Sequence, residues 1–195
     1  MADQRKSKNM EKGFTLIELL IVAVIIGILL SISIPNLIKA RISSNEANAR
    51  KAMQTLWVAE GEYFEQDLDG DGLRNYTDKI RVSDSPSLRD PAGFGDEEDA
   101  LVDSTFEGAI ASGGTASCPN NKAGYCIKFA DDVDSSNPLV LQVEFGWEAS
   151  PISAKSSGRR DFAVYGDKSI RCIFTSQAKG DPGAFEADRS DPACD

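Results

Sequence analysis

Apolar residues fill positions 14–34 almost without interruption, then thin to a recurring stripe over positions 36–64, and later gather in short alternating clusters. The first run carries Glu18 as its only charge and, as a helix, measures about 31 Å, enough to cross a hydrocarbon core. In the stripe, Ile42, Ala49, Leu56 and Tyr63 recur every seven residues, with Met53, Trp57 and Phe64 beside them. Arg41, Asn45, Asn48 and Lys51 fall mostly elsewhere, so the pattern predicts one helix to about Phe64 with a face turned to a core. Leu139, Leu141, Val143, Phe145 and Trp147 alternate with other residues and predict a strand over 139–147. Residues 162–165 and 170–174 around Gly166-Asp167-Lys168 predict a hairpin, and 125–129 a further strand. A long helix against an antiparallel sheet, an α+β fold, follows. Segments 83–99 and 111–121, rich in Gly, Pro, Ser and Asp, read as surface loops, and a short helix is expected within 99–110.

Composition narrows the chemistry. The chain of 195 residues, 41% hydrophobic, suffices for one domain with an appended element. A net charge of −10 argues against nucleic acid as a general partner, since Lys39, Arg41, Arg50 and Lys51 are diluted along the helix by Glu46, Glu60 and Glu62. Histidine is absent, which excludes His-dependent triads and H-E-x-x-H metal sites. The acidic pair Asp131/Asp132 reads as surface charge, and no enzyme is expected. The four cysteines, Cys118, Cys126, Cys172 and Cys194, form no C-x-x-C unit. They point to disulfides in an oxidising compartment, with sequence proximity favouring Cys118–Cys126 and Cys172–Cys194 among three connectivities.

A carboxylate at mid-bilayer costs about 2.5–3.5 kcal/mol, so Glu18 needs a partner or a task. A plain signal anchor offers neither. Nor does a secretory signal cut near Ser31-Ile32-Ser33, which would release a secreted domain. A third reading puts the cut between Gly13 and Phe14, so that the helix is retained and begins with a new α-amine, cationic at neutral pH. Arg5, Lys6, Lys8 and Lys12 in the leader place that end in the cytoplasm. Gly27 and Pro35 bound the weakest part of the helix, because proline lacks an N–H and crowds the carbonyl of Ser31.

The stretch GFTLIELLIVAVIIGILLSISIP resembles the class III signal of type IV pilins and type II secretion pseudopilins, strongly over about the first 50 residues and in outline beyond. The resemblance implies a pilin-like fold: leader 1–13, transmembrane and assembly helix 14–35, and a globular head 36–195 that includes the amphipathic half of the helix. It implies a prepilin peptidase that cuts after Gly13 and methylates Phe14, with Glu18 neutralising the new α-amine of a neighbouring subunit and so admitting the next subunit to a homo-oligomeric helical filament. It implies assembly machinery as partner, an inner-membrane span with a periplasmic head before assembly, and an extracellular or periplasmic filament after it. A Cys172–Cys194 bridge would match the disulfide-bounded C-terminal region of many pilins. The expected function is a pilus or pilus-like filament subunit; the alternatives are a major pseudopilin and a secreted calcium-dependent binding protein.

One motif lies outside that resemblance. Asp67, Asp69 and Asp71, with Gly72 at the turn, fit the opening half of an EF-hand-type loop. The Leu73 carbonyl, Asn75 and Asp78 would complete six oxygen ligands for Ca2+. Asp78 replaces the usual bidentate Glu and Arg74 a usual apolar residue, both weakening affinity. A plain Asx-turn would also account for the composition, and magnesium suits such a flexible cage poorly.

Overall fold

The computed structural model describes residues 13–110, 118, 121–134 and 136–194. The leader expected over residues 1–13 lies outside these apart from Gly13, as does most of the loop expected over 111–121. The chain divides into two compact units, Met1–Lys39 and Ala40–Asp195. One helix, α1 (Leu16–Gln66), contributes to both.

In the second unit the predicted stripe is the buried face of α1: Ile42, Ala49, Met53, Leu56 and Tyr63 are all buried, and Trp57 is half-buried. Their support is a four-stranded antiparallel sheet in the order β1 (Tyr125–Phe129), β2 (Gly146–Pro151), β3 (Arg160–Tyr165), β4 (Ile170–Phe174). The register pairs Phe129 with Trp147, Trp147 with Val164, and Val164 with Ile170. Side chains alternate across a sheet, so these residues share one face, where the Phe129 and Trp147 rings meet edge-on at 5.1 Å. Fold class and β1 stand as expected, and the hairpin turn over residues 166–169 joins β3 to β4.

The expected strand over 139–147 does not form as such. Residues Pro138–Leu141 make a short helix, α2, and β2 begins only at Gly146. Local chemistry explains the difference: Asn137 Oδ1 accepts the Leu139 N–H at 3.1 Å, and proline at the first helical position supplies a fixed φ. Gly146 suits the start of β2, because a Cβ there would come within 2.8 Å of Ala130 and the Tyr165 ring. Two further expectations are corrected. The helix within 99–110 reduces to a 3-10 turn, Ser104–Phe106, whose N-cap Asp103 accepts the Thr105 N–H. Segment 83–99 is no plain surface loop, because Ser87, Leu88, Arg89 and Asp90 are buried. Arg89 there pairs with both Glu97 and Glu107.

The opposite face of the sheet is polar yet covered. Lys128, Glu148, Ser150 and Asp161 are buried on it, and the C-terminal tail passes over them. The Gly183 N–H donates to Pro151 O at 2.9 Å, and a Cβ at 183 would collide with Ser150 Oγ at 1.8 Å, so only glycine fits that crossing. The tail ends against β4 through an Arg171–Ala193 bridge and the Cys194 N–H to Ile170 O bond. Both disulfides join the pairs that sequence proximity favoured, Cys118–Cys126 and Cys172–Cys194. Closing the loop between Cys172 and Cys194, separated by 22 residues, is worth about 3 kcal/mol in the chain-entropy model. Cys172→Ser with Cys194→Ser is therefore expected to lower the thermal midpoint of the head and expose the tail to limited proteolysis. An unchanged midpoint and cleavage pattern would show the tail to be held by its other contacts alone.

Candidate functional site

The first site is the start of α1. Thr15 precedes the helix, and its hydroxyl accepts the Glu18 N–H at 3.3 Å. Glu18 Oε2 reaches back to accept the Thr15 N–H at 2.8 Å and the Thr15 hydroxyl at 2.7 Å. This is a reciprocal capping box, T-x-x-E, which satisfies two of the orphan donors at the helix N-terminus. The pattern is readable in the sequence and was missed there. The carboxylate thus has a local role in starting the helix, beside its expected one toward an α-amine.

Gly13 and Phe14 stand immediately before the box, with Phe14 79% exposed. From Leu16 to Ile38 the large apolar side chains are all exposed, from 49% at Val22 and Ile38 to 81% at Leu16. A single copy of the chain leaves this entire surface without apolar cover, and among the described residues α1 is the one helix long and apolar enough to cross a membrane. Gly27 and Pro35 both lie within α1, which is assigned unbroken between them. The Ser31 and Ser33 hydroxyls in that stretch donate to Ile28 O at 2.7 Å and Leu29 O at 2.8 Å, sharing acceptors with the helix ladder.

The second site is the loop after α1. Asp67, Asp69 and Asp71 each offer a carboxylate oxygen within 4.8 Å of the others. Oδ1 of Asp67 and Oδ1 of Asp69 are shielded from solvent with no hydrogen-bond partner. Asp69 Oδ2 accepts the Tyr63 hydroxyl at 3.2 Å. Burial, reinforced by the charge of Asp71, raises the Asp69 carboxyl above its ordinary range. These orphaned oxygens fit a hard cation, whose charge would offset both the burial and the mutual repulsion. Of the other expected ligands, Leu73 donates its N–H to Asp71 Oδ1 at 2.7 Å, and Asn75 Nδ2 stands 3.5 Å from Asp71 Oδ2. Asp78 is not in the carboxylate group.

Sequence reasoning passed over a fully buried carboxyl group, Glu60. It is fully enclosed between α1 and the sheet, where Oε1 accepts the Trp147 indole N–H at 2.7 Å and Oε2 the Thr77 N–H at 3.1 Å. Burial pushes its carboxyl up to about 8 against the pull of both hydrogen bonds. The partner Trp147 lies 87 residues away, so no local pattern announces the pair.

Comparison with known proteins bears on the first site. No solved structure matches the chain significantly. Over 55 residues, 28% of the chain, it is 46% identical to the type IV major pilin protein PilA of Myxococcus xanthus. That match spans about a quarter, 25%, of the relative's own length. Residues 8–34 match the prokaryotic N-terminal methylation motif. The chain thus carries that motif around the Thr15–Glu18 capping box, ahead of an α+β, pilin-like arrangement of helix and sheet.

Proposed function

We propose that the chain is the precursor of a structural, non-catalytic subunit of a type IV pilus or pilus-like filament. In this reading a prepilin peptidase removes residues 1–13 and methylates Phe14. The apolar half of α1 waits in the inner membrane, with the head in the periplasm, and assembly machinery then transfers it to a filament core. The observation that carries the reading is the exposed apolar surface of α1 from Leu16 to Ile38, beginning two residues after the motif's Phe14. Only a bilayer or neighbouring copies can bury so much apolar area, at about 25 cal/mol per Å². Glu18 then serves two states: in the lone chain it caps its own helix, and in the filament it meets the Phe14 α-amine of the adjacent subunit. The stretch from Gly27 to Pro35 is where α1 yields when subunits pack. The head carrying two disulfides suits a fibre on the cell surface rather than a pseudopilus of type II secretion.

Intact mass and N-terminal sequencing of native material test this. A methylated Phe14 terminus is expected. Retention of residues 1–13 would end the reading, and a terminus at Ile34 would favour the secreted calcium-dependent binding protein.

The orphaned oxygens favour one addition, that the loop holds Ca2+ through Asp67, Asp69 and Asp71, with Leu73, Asn75 and Asp78 completing the shell after local rearrangement. Calcium at 100 times its Kd should then raise stability by about 2.7 kcal/mol over chelated protein. Asp69→Ala with Asp71→Ala should remove that increment. A thermal midpoint indifferent to calcium in the unsubstituted protein makes the loop a turn and nothing more.

A further inference from the structure

The acidic head contains a basic groove. It runs along α1 beside β3, has a volume of about 430 Å3, and is lined by Glu46, Arg50, Lys51, Gln54, Arg160 and Phe162. Three cations meet there in a chain whose net charge is −10. The one carboxylate, Glu46, accepts the Arg159 N–H at 2.8 Å. The Arg160 guanidinium lies 4.8 Å from the Phe174 ring, which is itself 64% exposed, so the groove ends in a basic and aromatic platform.

A second surface of the same chain has the opposite character. Residues 93–99 are exposed throughout and present Phe94, 80% exposed, followed by Asp96, Glu97, Glu98 and Asp99. The loop is held at its base. Asp90, buried, accepts the Phe94 N–H at 3.0 Å and the Gly95 N–H at 2.7 Å, and Glu97 pairs with buried Arg89. Glu98 and Asp99 have no cation partner among the described residues. An ordered loop loses little entropy on docking, so its charges and its ring are set out in advance for a partner.

We propose that the 94–99 loop of one copy docks in the Arg50/Lys51/Arg160 groove of the next. The acidic side chains meet the three cations, and Phe94 lies on the Phe174 and Arg160 platform. The proposal rests on the filament reading and deepens it by naming a contact between heads. Two different patches that complement each other make a heterologous interface, which builds an open helical polymer wherever its rotation does not close into a ring. A second copy fits better than a nucleic acid, because a long polyanion needs an extended basic track and this groove is short and surrounded by acidic surface.

Charge reversal in the full-length chain, expressed in a piliated host, tests the contact. Lys51→Glu with Arg160→Glu is expected to lower the yield of sheared filaments by about tenfold or more, since like charges facing across an interface cost several kcal/mol. Asp96→Lys with Glu98→Lys and Asp99→Lys should do the same, and combining both sets should restore most of the yield. Normal filaments from either set alone, or no rescue by the combination, overturn the contact. If the first set leaves filaments normal and instead abolishes retention of DNA, the groove serves another polyanion and the proposal falls. Absence of filaments from the unsubstituted chain would overturn the filament reading itself. Cross-linking gives a readout independent of yield. All four native cysteines are bonded, so Gln54→Cys with Glu98→Cys introduces the reactive thiols. A bis-maleimide should convert filaments of that variant into a ladder of dimers, trimers and higher multiples. Dimers alone, or no cross-link in intact filaments, overturn the proposal.

Discussion

Replacing Glu18 by glutamine is expected to leave the chain processed, methylated and inserted in the membrane, yet to reduce filaments by about two orders of magnitude or more, because one unpaired charge in an apolar layer costs about 3–5 kcal/mol. Glutamine keeps the reach of the capping box, in which Glu18 accepts the Thr15 N–H at 2.8 Å, while removing the charge that would meet the Phe14 amine. Glu18→Ala removes both, and should additionally fray the first turn of α1 at a cost of about 1 kcal/mol. Comparing the two separates the roles. If the glutamine variant makes abundant filaments and the alanine variant does not, Glu18 matters as a helix cap and the inter-subunit ion pair is wrong. Electron microscopy of sheared material, with immunoblots of the membrane fraction to show the subunit is present, supplies the comparison.

The largest effect on the head should come from Glu60. Glu60→Ala strands the Trp147 indole N–H and the Thr77 N–H in the core and opens a cavity beneath α1. Each buried donor left unpaired costs about 1–3 kcal/mol, so the total should reach about 3–5 kcal/mol and lower the thermal midpoint by about 10 °C. A loss below about 1 kcal/mol would mean that water or a rotated side chain satisfies both donors.

The same residue sets a pH dependence. Burial raises Glu60 to about 8, Glu148 to about 8 and Asp161 to about 6, each above its ordinary carboxyl value. In the interval between the ordinary and raised values the folded head holds protons that the unfolded chain has released. Their contribution is therefore complete below the ordinary range and is lost as pH climbs through 6 and then 8. The head should be most stable near pH 5 and weaken toward pH 9, and Glu60→Gln should flatten the slope. In the opposite direction, the hydroxyls of Thr105 and Ser190 hold Asp103 and Asp188 below the ordinary range, so a smaller loss appears only in stronger acid. A midpoint that rises from pH 5 to pH 9 would contradict the assignment.

How far these features could be read in advance depended on the range of the interactions that make them. The buried stripe of α1 was legible because a helix repeats its own geometry, so Ile42, Ala49, Leu56 and Tyr63 declare a face without reference to the rest of the chain. The turn at Gly166-Asp167-Lys168 was legible for the same reason. Residues 139–147 mislead because their alternation is overruled by its punctuation: Asn137-Pro138 signals a helix start, and Leu139 and Val143 are both exposed outside the sheet. The partners of Glu60 and Arg89 were illegible for a deeper reason. Glu60 falls on the buried face of α1 with Met53, Leu56 and Tyr63, but nothing local announces that Trp147 of β2 and the Thr77 N–H meet it there. At the first site the cost of a lone carboxylate in an apolar run singles out the charge of Glu18, while the T-x-x-E spacing explains its hydrogen bonds.

The C-terminal tail has one more consequence. A terminal strand such as β4 otherwise presents a row of bare amides and carbonyls, a template onto which a stray chain can add. In a fibre, where heads are crowded, such additions would compete with orderly growth and lead toward cross-β aggregates. The Arg171–Ala193 bridge and the Cys172–Cys194 link occupy that row. Oxidative folding thereby shields this edge from strand addition, and in the proposed filament it would keep the wrong kind of polymer from competing with the right one.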